Sequence, residues 1–575
     1  TWLVRGGMAE NAGDARGAIR CYWEAARRAP ESKTANFQLA RLLAETGETR
    51  ASERFTERVV SLQNLENVQN RFTFGGSVDF LLTLAATYEA AGRLWEACGW
   101  CQLIVQYDPD HAEARRELAE LRRKVEGLPL RLTVDSANVA LAIDLSDYPL
   151  PRFRKPSASP TPAASQTATS MSFRDEASSA GLRFRYFNGV DTPPSQRMFE
   201  FTGGGIGVLD FDLDGYADVC FTQGRPWPAG APAPVGGGDA TGGDRLFQNR
   251  GGVRFEDVTA SAGIREEGFG QGVTVGDFNS DGFPDLYVAN IGANCLWRNN
   301  GDGTFTDATD DAGLTGDEWT TSCVMADLNG DALPDIYDVN YVMGDDVYER
   351  VCRAEDGSPA LCMPFHFDSQ PDRLWLNDGH GRFTDATADV LSVVPSGKGL
   401  GVAVWDAHGT GRLSLLVAND TTPCFFFTDE SAADGRFRLE ERGIASGLAL
   451  NGEGKATGCM GIALGDVGED GRLDVLITNF HAEPNTLFMN LSEGVYADRT
   501  RALGLNAPSL NVLGFGTQFL DVDLDGRLEL FVSNGHVDDL RESGRPYRMP
   551  PQLFRWNGRR FLELDAAELG PYFEA

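Results

Sequence analysis

A chain of 575 residues is longer than one hydrophobic core organises, so two or more domains are expected. Its formal charge of −33 argues against binding nucleic acid or an anionic lipid surface, and no apolar run is long enough to span a bilayer. Residues 1–125 carry 17 Lys+Arg and 17 Asp+Glu, so the whole deficit falls on 126–575, where it should attract cations.

In chain order, residues 1–127 read as helices. Ala18, Tyr22, Ala25 and Pro30 are spaced four, three and five apart, and Ala97, Cys101, Ile104 and Pro109 repeat that spacing. Leu39, Ala40, Leu43, Gly47, Ala51 and Phe55 fit the same template, as do Leu84, Ala85, Tyr88 and Gly92. The pattern resembles the tetratricopeptide repeat, with small residues where helices touch and proline after the second helix. That resemblance implies an α-solenoid whose groove takes a protein partner or another copy of the chain. Cys98 and Cys101 form a CxxC with no second pair or nearby histidine, which reads as small core residues rather than a zinc site.

Residues 128–172 come next. The stretch 128–148 alternates weakly, which suggests a strand or two, and "PRFRKPSASPTPAASQTATSM" has the composition of a linker.

From 173 to 575 the pattern changes to short strands, Gly-rich turns and recurring acids. A Gly-rich apolar stretch ("GGGIGVL", "GQGVTVG", "GFGTQFL") leads into an acidic loop, then a second strand ("PDLYVAN", "LDVLITN"), a third ("CLWRNN", "RLWLND", "TLFMNL") and a fourth ("TFTDAT", "RFTDAT", "VYADRT"). Four strands per repeated unit describe β-propeller blades, so the fold class is a helical domain joined by a linker to an all-β propeller.

The acidic loops start at Asp210, Asp277, Asp327, Asp406, Asp466 and Asp521. Side-chain oxygens at positions one, three and five, a backbone carbonyl at seven and an acid at nine can wrap a hard cation, and glycine at six permits the turn. An all-oxygen set favours Ca²⁺ over transition metals. The first loop offers Asp210, Asp212, Asp214, the Tyr216 carbonyl and Asp218; the second Asp277, Asn279, Asp281, Phe283 and Asp285. The third offers Asp327, Asn329, Asp331, Leu333 and Asp335, with Ala332 in the glycine's place. The fifth has Asp466, Asp470, Arg472 and Asp474 but Gly468 at position three; the sixth has Asp521, Asp523, Asp525, Arg527 and Glu529. The Asp406 loop, with His408, Thr410 and Ser414, is expected to hold no metal.

These units resemble FG-GAP/VCBS propeller repeats such as those of integrin α-chain heads. The segments "GGGIGVLDFDLDGYADV", "NNGDGTFTDATDDAGL", "DRLWLNDGHGRFTDAT" and "SNGHVDD" are more specifically similar to the cartilage-acidic-protein/UnbV group. The resemblance covers roughly 173–570 and implies an extracellular or surface-exposed, calcium-binding propeller. Outer-strand signatures near Phe173, Phe255, Phe305, Phe383, Phe437, Tyr496 and Phe561 outnumber the loops by one. That count predicts a seven-bladed, incompletely closed ring, with 173–187 an outer strand beside the seventh blade and that blade's inner strands lying beyond Ala575; the rival reading is a six-bladed ring with a spare strand. Cys352 and Cys362 bracket the short polar loop "CRAEDGSPALC" and predict a local disulfide, hence an extracellular, cell-surface or periplasmic location.

The expected function is a non-catalytic, calcium-stabilised interaction or adhesion module, with a protein or possibly a glycan as partner. One alternative is a subunit of a surface filament that docks through its helical repeat. Another is a propeller enzyme acting on polysaccharide, for which His481 and His536, after equivalent strands of adjacent units, are the acid–base candidates against a plain turn-ordering role.

Overall fold

Helix caps, glycine turns and sheet ladders are all in place in a computed structural model that describes residues 2–71, 77–130, 132–152, 171–189, 196–227, 243–353, 357, 359–431, 436–537, 541 and 546–574. The chain forms two compact units. The first is Thr1–Ala168 together with Gly443–Ala456 and Gly494–Asp498; the second is Thr169–Arg442, Thr457–Glu493 and Arg499–Ala575.

The first unit is built on the helices Trp2–Asn11, Ala15–Arg28, Lys33–Glu45, Thr49–Asn70, Val78–Ala90, Leu94–Tyr107 and Ala112–Val125, each packed on the next in chain order. Side chains satisfy the free amides of first turns: Asp14 accepts from Gly17 N, Ser32 from Ala35 N and Ser77 from Phe80 N. The periodic positions are interior, with Ala18, Tyr22, Leu39, Leu43, Phe55, Leu84, Ala85, Ala97, Cys101 and Ile104 all buried. At Gly6 an added Cβ would stand 2.6 Å from Tyr22 Cε1, so only glycine lets these two helices approach.

Among the described residues of 128–148 the expected strands are absent. The described part of this stretch forms a 3₁₀ turn, Asp135–Ala137, and a short helix, Val139–Ala142. The Trp23 indole N–H reaches the carbonyls of Ala140 (3.0 Å) and Ile143 (2.8 Å), and Ala140 and Leu145 are buried against the helices. Backbone groups taken by that side chain are not open to a sheet ladder. The linker-like stretch 153–170 lies outside the described residues.

Six four-stranded antiparallel sheets follow in chain order, and all their strands except Val495–Asp498 belong to the second unit. They open at Ile206, Phe269, Thr320, Gly399, Cys459 and Gly514 and end at Asp257, Asp307, Asp385, Glu441, Asp498 and Glu563. Within each sheet, neighbours in sequence are neighbours in space, which is the blade meander. Glycine recurs on the innermost strands because adjacent blades meet backbone to backbone. A Cβ on Gly401 would stand 2.4 Å from Met460 O, and one on Gly461 would stand 2.2 Å from Phe515 O. Blade three carries an insertion between its second and third strands, in which Cys352 and Cys362 are joined with Cα atoms 4.9 Å apart.

The described residues form six blades, which corrects the count of seven. Residues 171–176 make no strand. Phe173 N donates to Leu569 O at 2.6 Å, and its ring meets Phe573 edge-on at 5.3 Å, beyond the last strand of blade six. The signature "FRDEASSAGL" matched through its turn rather than its strand. The helical turn Ala177–Ala180 ends on Gly181 at φ +97°, as Thr259–Ala262 ends on Gly263 at +78° and Thr309–Ala312 on Gly313 at +75°. With no inner strands to pair with, only the turn's local chemistry is expressed. On blade one's innermost strand Ile206 and Val208 are exposed, whereas their counterparts Val402 and Val404 in blade four are partly covered.

Candidate metal-binding loops

Each acidic loop joins the first and second strands of a blade, and all six share one backbone. The position-one aspartate uses both oxygens to hold the turn. Asp210 accepts from Asp214 N (3.0 Å) and Gly215 N (2.9 Å), and Asp277 from Asp281 N (3.0 Å) and Gly282 N (2.8 Å). Asp327, Asp406, Asp466 and Asp521 accept from the equivalent amides. Position five braces position seven: Asp214, Asp281, Asp331, Asp470 and Asp525 accept from the amides of Tyr216, Phe283, Leu333, Arg472 and Arg527.

Two residues per loop are left-handed. Position six is Gly215, Gly282, Gly411, Gly471 or Gly526, and in loop three it is Ala332 at φ +70°. Position four is left-handed too: Leu213, Ser280, Gly330, Gly409, Glu469 and Leu524. Sequence reasoning missed that second requirement, for which Gly330 and Gly409 were the available signal.

The ninth residue ties the loop to its blade. Asp218 accepts from Phe211 N (3.0 Å) and Asn249 N (2.7 Å), and Asp285 from Phe278 N (3.1 Å) and Asn299 N (2.7 Å). Asp335 and Asp474 make the same pair of bonds with Leu328 N and Asn377 N, and with Val467 N and Asn490 N. Burial pushes these acids up, Asp218, Asp335 and Asp474 to about 6 and Asp285 to about 7, against the pull of those amides. The asparagine that ends the third strand also links blades, since Asn299 Nδ2 donates to Phe211 O and Asn377 Nδ2 to Phe278 O, both at 2.8 Å. The recurring "RNN" and "LND" endings carried that information.

The loops differ in what neutralises them. In the first, Asp210, Asp212 and Asp218 each bring a carboxylate oxygen within 4.8 Å of the others, and Asp212 Oδ1 is buried without a hydrogen-bond partner. Gln248 donates to the other oxygen of Asp212. In the sixth, Asp521, Asp523 and Asp525 converge likewise and Asp523 Oδ1 is also unpartnered, but Arg555 pairs with Asp523 at 2.7 Å and with Glu529 at 3.3 Å. In loops two and three Asn279 and Asn329 donate to Asp281 (2.8 Å) and Asp331 (2.9 Å). In loop five Arg472 pairs with Asp470. Loop four has Ser414 at position nine; although burial disfavours its charge, the amides of Gly411, Thr410 and His408 hold Asp406 below the usual carboxylate range. An orphaned, buried carboxylate oxygen among converging acids fits a hard cation at loops one and six. His481 and His536 do come together, with ring centroids 5.8 Å apart.

The loops and blades define a class, and comparison with known proteins points the same way. Residues 210–288 and 277–337 match the FG-GAP-like repeat family. Cartilage acidic protein 1 of Xenopus tropicalis is 28% identical over 165 residues, 27% of this chain and 25% of that protein, and the Homo sapiens protein is 28% identical over 24% of its length. The chain thus matches about a quarter of the length of these relatives. Among solved structures, an Agrocybe aegerita lectin specific for non-reducing terminal N-acetylglucosamine aligns at 16% identity and TM-score 0.34, over 62% of this chain and 77% of that one. The V. cholerae biofilm matrix protein Bap1 aligns at 11% and 0.22, over 64% and 82%. Both superpositions are too loose to inform the site.

Proposed function

We propose that this protein is a non-catalytic, calcium-stabilised interaction module that works outside the cytoplasm. The propeller presents one binding surface, and the helices, read as tetratricopeptide-like repeats, present another for a protein partner. The observation that carries the calcium reading is the buried, unpartnered Asp212 Oδ1 beside Asp210 and Asp218. A divalent ion held by Asp210, Asp212, Asp214 and the Tyr216 carbonyl would supply the missing partner and relieve the repulsion among these acids. The distant similarity to cartilage acidic protein 1 and the Cys352–Cys362 bridge support a location in an oxidising compartment.

Calorimetric titration of the metal-free chain tests this. Calcium is expected to bind with a dissociation constant on the order of 10⁻⁴–10⁻³ M, in the range of extracellular modules. Asp212→Ala is expected to remove one site and leave the blades folded. No heat of binding, together with an unchanged melting curve in millimolar calcium, would overturn the reading.

A further inference from the structure

Eight cysteines are free, and two of them, Cys424 and Cys459, are buried with their sulfurs 3.4 Å apart. Cys424 directly precedes the third strand of blade four, Phe425–Asp429, and Cys459 opens the first strand of blade five, Cys459–Gly465. Both belong to the second unit. The other blades show what these two places ordinarily hold. Before the third strand stand Asp244, Asn294, Asp372 and Asn485 in blades one, two, three and five. Each accepts, through a side-chain oxygen, from the backbone N–H of Gln223, Asn290, Asn340 or Asn479 at 2.7–3.0 Å. Seven residues ahead of the acidic loop, where blade five has Cys459, blades two, three and six have Gly270, Thr320 and Gly514. The two places meet at other blade junctions as well. Asn294 Nδ2 donates to Thr320 Oγ1 at 3.2 Å, and a Cβ on Gly270 or Gly514 would stand 3.2 Å from Asp244 Oδ1 or 3.0 Å from Asn485 Oδ1.

Between blades four and five both places change together, an oxygen acceptor to Cys424 and a glycine or threonine to Cys459. Sulfur is a weak acceptor, so the change at 424 gives up a strong bond that four other blades keep. A small apolar filler at 424 would not call for a second cysteine at 459; what the two changes share is the sulfur pair. Among the described residues the pair joins no group of three converging metal ligands, and a structural zinc takes four. Joining the sulfurs needs a movement of about 1 Å, to a covalent separation of about 2 Å. We propose that Cys424 and Cys459 form a disulfide that staples blade four to blade five when the propeller folds in an oxidising compartment. The oxidant is a low-molecular-weight disulfide such as oxidised glutathione. One cysteine thiolate attacks it and releases the first small thiol; the other cysteine attacks the protein sulfur of the mixed disulfide and releases the second. The pair gives up two electrons, which reduce the oxidant's S–S bond, and its two protons end on the departing thiols. Because the folded pair is buried, this exchange belongs to the folding chain. The inference shares with the proposed function only the oxidising compartment, and it does not depend on calcium.

Refolding the reduced full chain in glutathione buffers, from fully reducing to fully oxidising, tests it. After an acid quench and tryptic digestion without reductant, Cys424 lies in peptide 413–436 and Cys459 in peptide 456–472, neither with another cysteine. The two peptides are expected to appear linked, two hydrogens lighter than their sum, and to separate in dithiothreitol. Two of the eight free thiols should be lost to alkylation in denaturant. Oxidation should raise the melting temperature by a few degrees more in the natural chain than in Cys459→Ala, because the bridge closes a loop across 35 residues of sequence. Both thiols open to alkylation in the most oxidising buffer, or the same redox shift in melting for the natural chain and Cys459→Ala, would overturn the proposal. Cys352–Cys362 is read in the same digest, and that bridge closed with Cys424 and Cys459 free would overturn the staple and leave the compartment reading standing. The peptide map uses the natural chain, so a misfolded Cys459→Ala leaves it decisive.

Discussion

The loops of blade one and blade six have nearly the same sequence and the same backbone, yet they solve their charge problem differently. Both place an aspartate at positions one, three and five and an acid at nine, and both leave one position-three oxygen buried and unpartnered. What separates them is one residue on the third strand. Blade one has Gln248, a neutral donor to Asp212; blade six has Arg555 at the equivalent place, a fixed cation bonded to Asp523 and Glu529. In blade two the equivalent Arg298 is exposed. How far the acids are compensated is therefore set outside the motif, by the strand that passes behind it, and copies that look equal in sequence differ in the charge left unbalanced.

The largest expected effect is that of calcium. In 10 mM calcium, ten to a hundred times the expected dissociation constant, an ion bound only to the folded state adds about 1.4 to 2.7 kcal/mol per site. Differential scanning calorimetry in millimolar calcium against EDTA should show the propeller transition rising and the transition of the helical unit nearly unmoved. Asp212→Asn should remove more of the gain than Asp523→Asn, because Arg555 already serves the sixth loop. Equal losses would break the contrast.

Next in size is Arg555→Gln, which gives blade six the donor of blade one. Without calcium it leaves Asp523 and Glu529 uncompensated and should cost about 2 kcal/mol, the penalty of a buried polar group losing its partner. Calcium should restore most of that loss. Urea unfolding with and without calcium reads both arms, and a loss that calcium cannot repair would mean that Arg555 is a packing residue only.

The repeating strands, the helical spacing and the loop oxygens were legible because each is a local pattern: alternation, a four-three-five spacing, acids two apart. What was not legible depends on partners distant in sequence. Gln248 and Arg555 lie 36 and 32 residues from the aspartates they touch. The count of seven went wrong for the opposite reason. The residues around Gly181 form the same glycine-ended turn that follows an outer strand, and that local signal persists where no strand exists. Position nine was readable as an acid but not as a tie: it takes two backbone amides from opposite sides, and only the fold brings those together.

Among the described residues Asp338, unlike the loop acids of blades one and six, is buried outside any group of converging acids. In blade three Asp338 Oδ2 accepts from Tyr287 OH (3.0 Å) and Trp375 Nε1 (2.8 Å), and burial raises it to about 6 despite those bonds. The unfolded chain releases this proton near 4. Between the two values the folded state holds more protons, so the contribution of Asp338 is full below pH 4 and is lost as pH rises through 6. Asp338→Asn, which keeps an acceptor, should remove a slope on the order of 2 kcal/mol between pH 4 and pH 7. Urea midpoints across that range measure it in EDTA, and parallel profiles for the two proteins would show that Asp338 does not titrate there.

The smallest expected effect isolates the backbone. Loop three is the one copy whose sixth position lacks glycine, and Ala332 holds the left-handed conformation at φ +70°. A Cβ in that region crowds the carbonyl that follows, at a cost of roughly 1 kcal/mol. The loop accepts it because Ala332 N is needed by Asp327 Oδ2, at 2.9 Å, and Gly330 already supplies the other left-handed turn at +79°. Ala332→Gly should stabilise the metal-free protein by about 0.5 kcal/mol, the strain relieved less the entropy a new glycine loses on folding. The reverse change in loop two, Gly282→Ala, should destabilise by a similar amount, since a Cβ there meets nothing within 4 Å and only the conformation resists it. If strain is the cause, the two substitutions move the urea midpoint in opposite directions by comparable amounts. A neutral Ala332→Gly beside a costly Gly282→Ala would mean that loop three has relaxed around its alanine, and the six loops would then differ in backbone as well as in charge.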